Sequence, residues 1–312
     1  MTDYGHELLF GTFITPVAQP VMHAVDLALV SERAGLDLVT FQDHPYQPAF
    51  HDTWTLLSFV ASRTERIRVA GNVLNLPLRQ PAVLARAAAS LDRLSGGRFE
   101  LGLGAGGFWG PIAAMGGPRR TPGQAVEALE EAIQIIRELW AADQRGGVYF
   151  DGTYYQVKGA KRGPAPAHDI EIWIGAYKPR MLRLVGRRAD GWIPTLGYLE
   201  GGVADLEEMN TYIDEGAAQA GRDPRAVRRF LNIGGRFAPT GRGLFDGPPD
   251  AWAEQIAAIA LAYGISGFIL AADDAATIEI FASEVAPAAR ALVAAERGRA
   301  GVASDPGGQP VH

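Results

Sequence analysis

The sequence predicts an α/β protein, namely a (β/α)8 TIM barrel with an insertion between its fourth and fifth strands. Eight short apolar segments rich in β-branched residues alternate with longer segments of helical periodicity, a pattern typical of βα units in a parallel sheet. The first four apolar segments begin about 30 residues apart, the length of one such unit. Eight units in a chain of 312 residues favour a closed barrel over a doubly wound sheet.

The predicted strands are short runs with few charged residues. In chain order they are Leu8–Thr15, Leu36–Phe41, Ile67–Val73, Phe99–Leu103, Ile170–Gly175, Trp192–Thr195, Arg229–Phe237 and Gly267–Ala271. The clearest helices between them carry apolar residues at helical spacing. They are Val21–Ala34, Pro81–Leu94, Val126–Trp140 and Trp252–Tyr263. Gly35 and Gly264 directly follow the first and the last, where glycine commonly ends a helix.

The insertion is indicated by an interval between the fourth and fifth strands that is more than twice one βα unit. Residues 148–157, near its end, contain Asp151-Gly152 between alternating apolar runs. Because this dipeptide favours a two-residue turn, we predict a β-hairpin there. Residues 1–297 are predicted to form a single barrel domain. Residues 298–312 are rich in Gly, Pro and Ser and are predicted to be disordered.

Composition and charge exclude several classes of protein. The chain is 47% hydrophobic and 21% charged, unlike a disordered protein. It has no cysteine, which excludes disulfides, thiolate metal sites and a cysteine nucleophile. The formal charge of −6 is spread along the chain and indicates no nucleic-acid partner. Neither a signal-peptide core nor a run of ~20 apolar residues is found, so we expect a cytoplasmic protein with no membrane partner.

In a barrel the functional residues lie at the carboxyl ends of the strands. Asp43-His44 follows the second predicted strand, where an imidazole tuned by a carboxylate could orient a bound molecule and transfer a proton. The alternative is that Asp43 caps a loop and His44 is an ordinary polar residue. A metal site that includes His51 and Asp52 is also conceivable, but their spacing from His44 fits no common ligand pattern, and we predict no metal.

The third and fourth strands end in amides and glycines. Asn72 and Asn75 flank an apolar strand end, where they could bond a planar heterocycle or simply form a turn. Residues 102–107 match the glycine pattern of dinucleotide-binding folds, but three complete βα units precede them, so we reject that interpretation. These glycines indicate that another group lies close to the backbone at these positions. Phe108 and Trp109 follow, either as a pocket wall or as core.

The segment after the fifth strand predicts an anion site. Pro179 stands where a first helical turn would begin, and helix N-termini bind phosphates. Lys178 and Arg180 add positive charge, and further arginines follow at 183, 187 and 188. The alternative is a solvated basic helix face. Motifs typical of nucleotide hydrolysis, zinc peptidases and serine esterases are absent from the sequence.

In this order and spacing, five segments make residues 8–295 similar to the bacterial luciferase-like family of flavin-dependent oxidoreductases. They are Asp43-His44, residues 71–81, 97–106, 150–159 and 172–192. Within the family the chain resembles the branch that uses the deazaflavin coenzyme F420. The resemblance implies that Asp43 and His44 contact the ring, with His44 as the catalytic group for proton transfer. It also implies a cis peptide bulge at Asn72–Val73 behind the ring.

The resemblance extends to the other cofactor-binding residues. Those expected at the ring edge and ribityl chain are Asn75, Ala105 and Gly106, and those expected at the phosphate-binding turn are Gly175, Ala176, Tyr177, Lys178, Arg180 and Met181. Members that act on a sugar phosphate have a glutamate where this chain has Gly107 and a lysine near Tyr198. A phosphorylated sugar is therefore not expected. The residues expected to line a more apolar or aromatic substrate pocket are Phe108, Trp109, Trp192, Thr195 and Tyr198.

These observations lead to three hypotheses for function. The first is an oxidoreductase that transfers a hydride between F420 and a small organic substrate, with the hydride chemistry supplied by the cofactor. The second is an FMN-dependent luciferase-like monooxygenase that uses O2. The third is a non-catalytic barrel that binds a flavin. The resemblance also implies a homodimer or a higher homo-oligomer.

Overall fold

Eight parallel strands form a closed barrel, which confirms the predicted fold class. The computed structural model describes residues 3–303. In chain order the barrel strands are β1 (Leu9–Ile14), β2 (Leu38–Phe41), β3 (Arg68–Gly71), β4 (Phe99–Gly104), β5 (Ile172–Ile174), β6 (Gly191–Trp192), β7 (Arg228–Ile233) and β8 (Gly267–Ala271). Each strand pairs with the next, and β8 pairs with β1 to close the ring.

Helices surround the barrel. In chain order they are α1 (His23–Arg33), α2 (Thr53–Arg63), α3 (Pro81–Ser95), α4 (Trp109–Ala114), α5 (Pro122–Trp140), α6 (Pro179–Arg188), α7 (Asp205–Gln219), α8 (Pro249–Tyr263), α9 (Ala275–Ile280) and α10 (Ala286–Ala303). Their ends follow local sequence rules. Thr121 and Gln124 form a reciprocal capping box at the start of α5, and Gly264 ends α8 in the left-handed conformation. Within residues 3–303, no helix is long and apolar enough to cross a membrane.

Alternation along the strands divides the core in two. One set of side chains packs outward against the helices, while the other fills the barrel interior. The interior set is Leu38, Ala70, Trp173, Ile193, Phe230 and Ile269. Large rings fit inside because glycines face them: a Cβ at Gly191 would overlap the Trp173 indole, and one at Gly267 would overlap the Phe230 ring.

Six of the eight barrel strands are shorter than predicted, including the sixth and the seventh. The sixth, predicted as Trp192–Thr195, has regular pairing only at Gly191–Trp192, since Pro194 has no N–H to donate to a ladder. The seventh, predicted as Arg229–Phe237, ends at Ile233. Residues 236–237 pair instead with 246–247 in a separate two-stranded sheet.

The insertion contains α4, α5 and the predicted hairpin, whose strands are Gly147–Asp151 and Gln156–Lys161. Its turn differs from the prediction, because Asp151 pairs with Gln156 and residues 152–155 form a longer loop. The Glu131 carboxylate on α5 accepts backbone N–H groups from residues 153, 154 and 155 at 2.7–3.0 Å. This carboxylate supplies the loop with acceptors that a two-residue turn would not need.

The predicted disordered segment is only partly within the described residues. Helix α10 continues to Ala303 and so includes residues 298–303. Residues 304–312 lie outside the described part of the chain.

Candidate functional site

The candidate site lies at the carboxyl ends of the barrel strands, where the fold brings together residues far apart in sequence. Asp43 and His44 follow β2, Asn72 and Asn75 follow β3, and the glycine segment ends β4. We refer to this end of the barrel as the mouth.

Asp43 is a buried carboxylate with a dedicated set of donors. Its Oδ2 accepts the Asn75 backbone N–H at 2.8 Å and the Arg79 guanidinium at 3.0 and 3.2 Å. Its Oδ1 is buried and has no donor within the described residues. Asp43 therefore ties the loop after β2 to the segment after β3. Arg79, which our sequence analysis missed, also lies 3.7 Å from Asp52.

His44 is half-buried beside two aromatic rings. Its Nδ1 lies 2.7 Å from the Tyr46 hydroxyl, and its ring centroid lies 5.4 Å from that of Phe108. Burial lowers the pKa of His44 below its ordinary value, and the nearby Asp43 charge acts in the opposite direction. The imidazole is therefore favoured in its neutral form near pH 7.

A network of amides and hydroxyls crosses the mouth. The side-chain amides of Asn72 and Asn232 exchange two hydrogen bonds, of 2.7 and 3.2 Å. Asn232 also donates to the Thr195 hydroxyl at 3.1 Å, and Asn72 donates to the Thr40 hydroxyl at 3.2 Å. Our sequence analysis missed Asn232, although an asparagine inside the apolar run Phe-Leu-Asn-Ile was a usable signal.

The glycines of β4 are required by neighbouring protein rather than by a ligand. The Asn72–Val73 peptide is cis, as the family resemblance implied, and the chain then pairs with β4 again at Leu74–Asn75. A Cβ at Gly102 would overlap the Gly71 carbonyl oxygen, and one at Gly104 would lie 2.7 Å from a Val73 methyl. The close approach predicted from these glycines is therefore an approach between β4 and the end of β3.

The other residues expected at the ring edge lie close together. Asn75 is buried, and its Oδ1 has no donor within residues 3–303. Ala105 is also buried. Gly106 has φ +94°, and a Cβ there would lie 2.8 Å from both Pro77 and the Trp109 ring. The Trp109 indole therefore closes over this glycine.

The expected phosphate-binding turn lies between β5 and α6. Gly175 lies beside Val73, Ala176 is buried, and the Tyr177 hydroxyl accepts the Thr195 backbone N–H at 2.9 Å. Lys178 is exposed at the start of α6, and Met181 in its first turn is half-buried.

The basic stretch on α6 is largely neutralised by carboxylates. Arg180 pairs with Glu127 at 2.7 Å and Arg183 pairs with Glu215 at 2.8 Å. Both Arg187 and Arg188 lie 3.3 Å from Glu130. Of the basic side chains at 178–188, Lys178 alone makes no ion pair in the described part of the chain. The anion site is therefore less strongly charged than the sequence suggested.

The residues expected in the substrate pocket divide into two groups. Phe108 and Tyr198 are 58% and 72% exposed, and Thr195 is half-buried at the mouth. Trp109 is partly buried against the core. Trp192 is fully buried in the outer core and donates its indole N–H to the Ala176 carbonyl oxygen at 2.9 Å. The prediction that Trp192 lines the pocket is therefore wrong, because its side chain points toward the helices.

Two side chains of the conceivable metal site, His51 and Asp52, make hydrogen bonds to other parts of the protein. His51 bonds the Val21 carbonyl oxygen at 3.0 Å, while Asp52 caps α2 by accepting the Thr55 N–H. Within the described residues, no three His, Asp or Glu side chains form a group that could hold a metal ion.

The site thus combines a closed barrel, the buried Asp43, the half-buried His44 and a cis peptide after the third strand. The description "Luciferase-like monooxygenase" belongs to the family model that matches residues 4–242, and the chain belongs to this family. The expectation drawn from the sequence resemblance is confirmed at this level.

Among curated proteins, the chain is similar to an F420-dependent glucose-6-phosphate dehydrogenase from Gordonia bronchialis, with 34% identity over 217 residues. The same enzyme from Mycolicibacterium smegmatis is 35% identical over 217 residues. These matches cover 67% of this chain but only 62% and 63% of the relatives. The chain therefore spans less than two thirds of the length of the curated relatives it matches.

The same fold occurs in a solved F420-dependent secondary alcohol dehydrogenase in complex with an F420-acetone adduct. That match has a TM-score of 0.79 and 19% identity and covers 91% of this chain and 99% of the other. At 19% identity, this match shows that the two proteins share a fold and nothing more specific.

Proposed function

We propose that this protein is an oxidoreductase that transfers a hydride between coenzyme F420 and a small organic substrate. The proposal is supported by the curated relatives, which are F420-dependent. The observation that carries it is the pair of buried acceptors, Asp43 Oδ1 and Asn75 Oδ1, which have no donor within residues 3–303. Buried acceptors without a donor are costly, and the ring N–H of a deazaflavin is a donor of the required kind.

The residues that would hold the cofactor lie on both sides of the mouth. Asp43, Asn75 and His44 would contact the ring from the β2 and β3 side. The exposed Lys178 and the free N–H groups at the start of α6 would take a phosphate. A bound deazaflavin supplies hydride transfer at its ring carbon.

The protein itself would hold the cofactor and the substrate in the orientation that hydride transfer requires. Arg79 forms an ion pair with the buried Asp43 and so holds the carboxylate in place beside His44. Mutual hydrogen bonds lock Asn72 and Asn232 beneath the mouth, which limits movement of the bulge that would support the ring. His44 would exchange a proton with the substrate.

We propose further that the substrate is apolar or aromatic. Phe108 and Tyr198 expose large aromatic surfaces at the mouth, and aromatic side chains bind such ligands with little loss of conformational entropy. At Gly107 a Cβ would meet nothing within 4 Å, so this position offers open space and no acid–base group.

An FMN-dependent monooxygenase is the second candidate, and one observation favours it. With four α6 arginines paired to glutamates, the remaining charge at Lys178 suits a single phosphate such as that of FMN. The fold is shared with the oxygenating constituent of a Pseudomonas putida 3,6-diketocamphane monooxygenase in complex with FMN, at a TM-score of 0.73 and 20% identity over 90% of this chain and 98% of the other.

Titration of the purified protein with F420 and, separately, with FMN tests the choice of cofactor. Ring fluorescence reports binding. We expect F420 to bind at least ~10-fold more tightly than FMN, and an Asn75→Ala variant to bind F420 about 10-fold more weakly because one buried acceptor is lost. Tyr149→Phe, on the exposed hairpin, is the matched control. Tight binding of FMN alone would overturn the proposal.

We also propose that the chain self-associates through α2 and α3. These neighbouring helices expose Phe59, Val83 and Leu94, and apolar surface of this kind is typical of subunit interfaces. Light scattering of the wild type and of a Val83→Glu, Leu94→Glu variant provides the test. We expect a dimer and a monomer respectively; a monomeric wild type would contradict the proposal.

A further inference from the structure

Tyr46 occupies the place beside His44 that a carboxylate commonly takes in enzyme sites. The His44 Nδ1 and the Tyr46 hydroxyl oxygen are 2.7 Å apart. Asp43, the adjacent carboxylate, does not make this bond. Its Oδ2 is bonded to Asn75 and Arg79, and its Oδ1 has no partner within residues 3–303. Tyr46 is therefore the group that orients the imidazole.

Packing holds the two side chains together. The Tyr46 and Phe108 ring centroids are 6.1 Å apart, and the Phe108 ring meets His44 edge-on at an interplanar angle of 83°. Phe108 comes from the segment after β4, whereas His44 and Tyr46 come from the loop after β2. Contacts from two loops restrict the His44 ring more than either loop could alone.

The hydrogen bond at Nδ1 determines where neutral His44 carries its proton. A neutral imidazole has one N–H, and the partner of one nitrogen decides which nitrogen bears it. The Tyr46 O–H has no other acceptor in the described part of the chain, and a neutral imidazole can accept from it at Nδ1. The imidazole proton is then on Nε2, which has no hydrogen-bond partner among the same residues. Burial favours the neutral forms of both groups, because it lowers the pKa of His44 and raises that of Tyr46.

We propose that Tyr46 is a positioning residue that fixes His44 as the Nε2–H tautomer, so that the mouth presents a proton donor to the bound substrate. The catalytic consequence rests on the proposed function, whereas the tautomer is a property of this chain alone. In the reducing direction, a hydride supplied by a bound deazaflavin would add to the substrate carbon as its π bond breaks, and the heteroatom would take the Nε2 proton. The Tyr46 O–H proton would move to Nδ1 as Nε2 loses its proton, so that His44 stays neutral, and solvent would then return a proton to the pair.

Nitrogen-15 NMR of histidine-labelled, cofactor-free protein tests the tautomer directly. Two-bond ¹H–¹⁵N correlations distinguish a protonated Nε2 from a protonated Nδ1, and His44→Ala assigns the signal. We expect the Nε2–H form in the wild type and in Tyr149→Phe, and a mixture of both forms in Tyr46→Phe. A wild-type Nδ1–H form, or a Tyr46→Phe spectrum like that of the wild type, would overturn the proposal even if the cofactor assignment is correct.

Kinetics then test the consequence, with whichever cofactor the protein binds. We expect Tyr46→Phe to lower kcat about tenfold with little change in KM, since one hydrogen bond to the catalytic group is lost and no substrate contact is removed. The acid limb of the pH profile should move to higher pH, because the lost donor stabilised neutral His44. Asp43, the charged group that acts on His44, and its ion-pair partner Arg79 are unchanged in this variant. A change confined to KM would contradict a positioning role.

Discussion

Asn72 and Asn232 lie 160 positions apart in the chain and exchange two side-chain hydrogen bonds across the barrel mouth, at 2.7 and 3.2 Å. Both side chains are buried, and each amide oxygen accepts its hydrogen bond from the other amide. The pair links the end of β3 to β7 and connects to hydroxyls on β2 and after β6. The mouth is therefore braced by polar contacts rather than by apolar packing alone.

The first prediction concerns the hydrogen bonds between Asn72 and Asn232. Asn232→Ala should lower the free energy of unfolding by about 1–3 kcal/mol, because it leaves the buried Asn72 amide without its main partner. Urea denaturation measures the change. Thr195→Val removes one hydrogen bond at a half-buried position and should cost about 1 kcal/mol or less. If the two substitutions lowered the free energy of unfolding equally, the hydrogen bonds between Asn72 and Asn232 would have no special stabilising role.

The second prediction concerns His44. His44→Ala should reduce turnover by ~10²–10⁴-fold, the usual contribution of one acid–base group, with cofactor affinity largely unchanged. Steady-state kinetics and fluorescence titration separate the two quantities. His168→Gln, at the opposite end of the barrel, is the control and should leave turnover unaltered. An unchanged rate in His44→Ala would remove this residue from the mechanism.

The third prediction compares two glycines of one motif. Gly102→Ala should destabilise the protein by about 1–3 kcal/mol, because the added methyl group overlaps the Gly71 carbonyl oxygen and forces β3 and β4 apart. Gly107→Ala should change stability by less than about 0.5 kcal/mol, since its Cβ meets open space. Thermal and urea unfolding of both variants test the contrast. Similar stabilities would show that strand spacing at Gly102 is adjustable.

The fourth prediction concerns pH and a buried cluster at the amino-terminal end of the barrel. His168 bonds Asp92 at 2.8 Å and Glu100 at 3.2 Å, and the hydrogen bond to Glu100 is the largest of the effects that raise the pKa of His168. A raised folded-state pKa means that this stabilisation is complete below the unfolded value of about 6.5 and is lost as pH rises through the folded value.

Burial also raises the pKa of Glu100, which is present in both the wild type and the His168→Gln variant. Wild-type stability should therefore fall from pH 6 to pH 8 more steeply than that of His168→Gln. Urea unfolding at both pH values provides the measurement. Parallel pH dependence in the two proteins would contradict a contribution from His168.

Periodicity predicted the barrel because each βα unit buries its own apolar strand and helix face, a property written locally in the sequence. The pattern was less reliable where backbone geometry is irregular. Pro194 limits the pairing of β6, residues 236–237 pair with 246–247 instead of extending β7, and Glu131 on α5 reshapes a turn that Asp151-Gly152 alone would make tighter. In each case the deciding partner is distant in sequence or lacks a backbone donor.

The sequence by itself determined the fold class, the family and the place of the Asp43-His44 pair at a strand end, because these depend on local pattern and on motif order. Only the tertiary structure decided which neighbours each side chain has. It turned Trp192 into the outer core, paired the α6 arginines with glutamates, and placed Tyr46, Arg79 and Asn232 in the site. The physical reason is that burial, ion pairing and hydrogen bonding depend on distances between segments, which the linear order of residues does not specify.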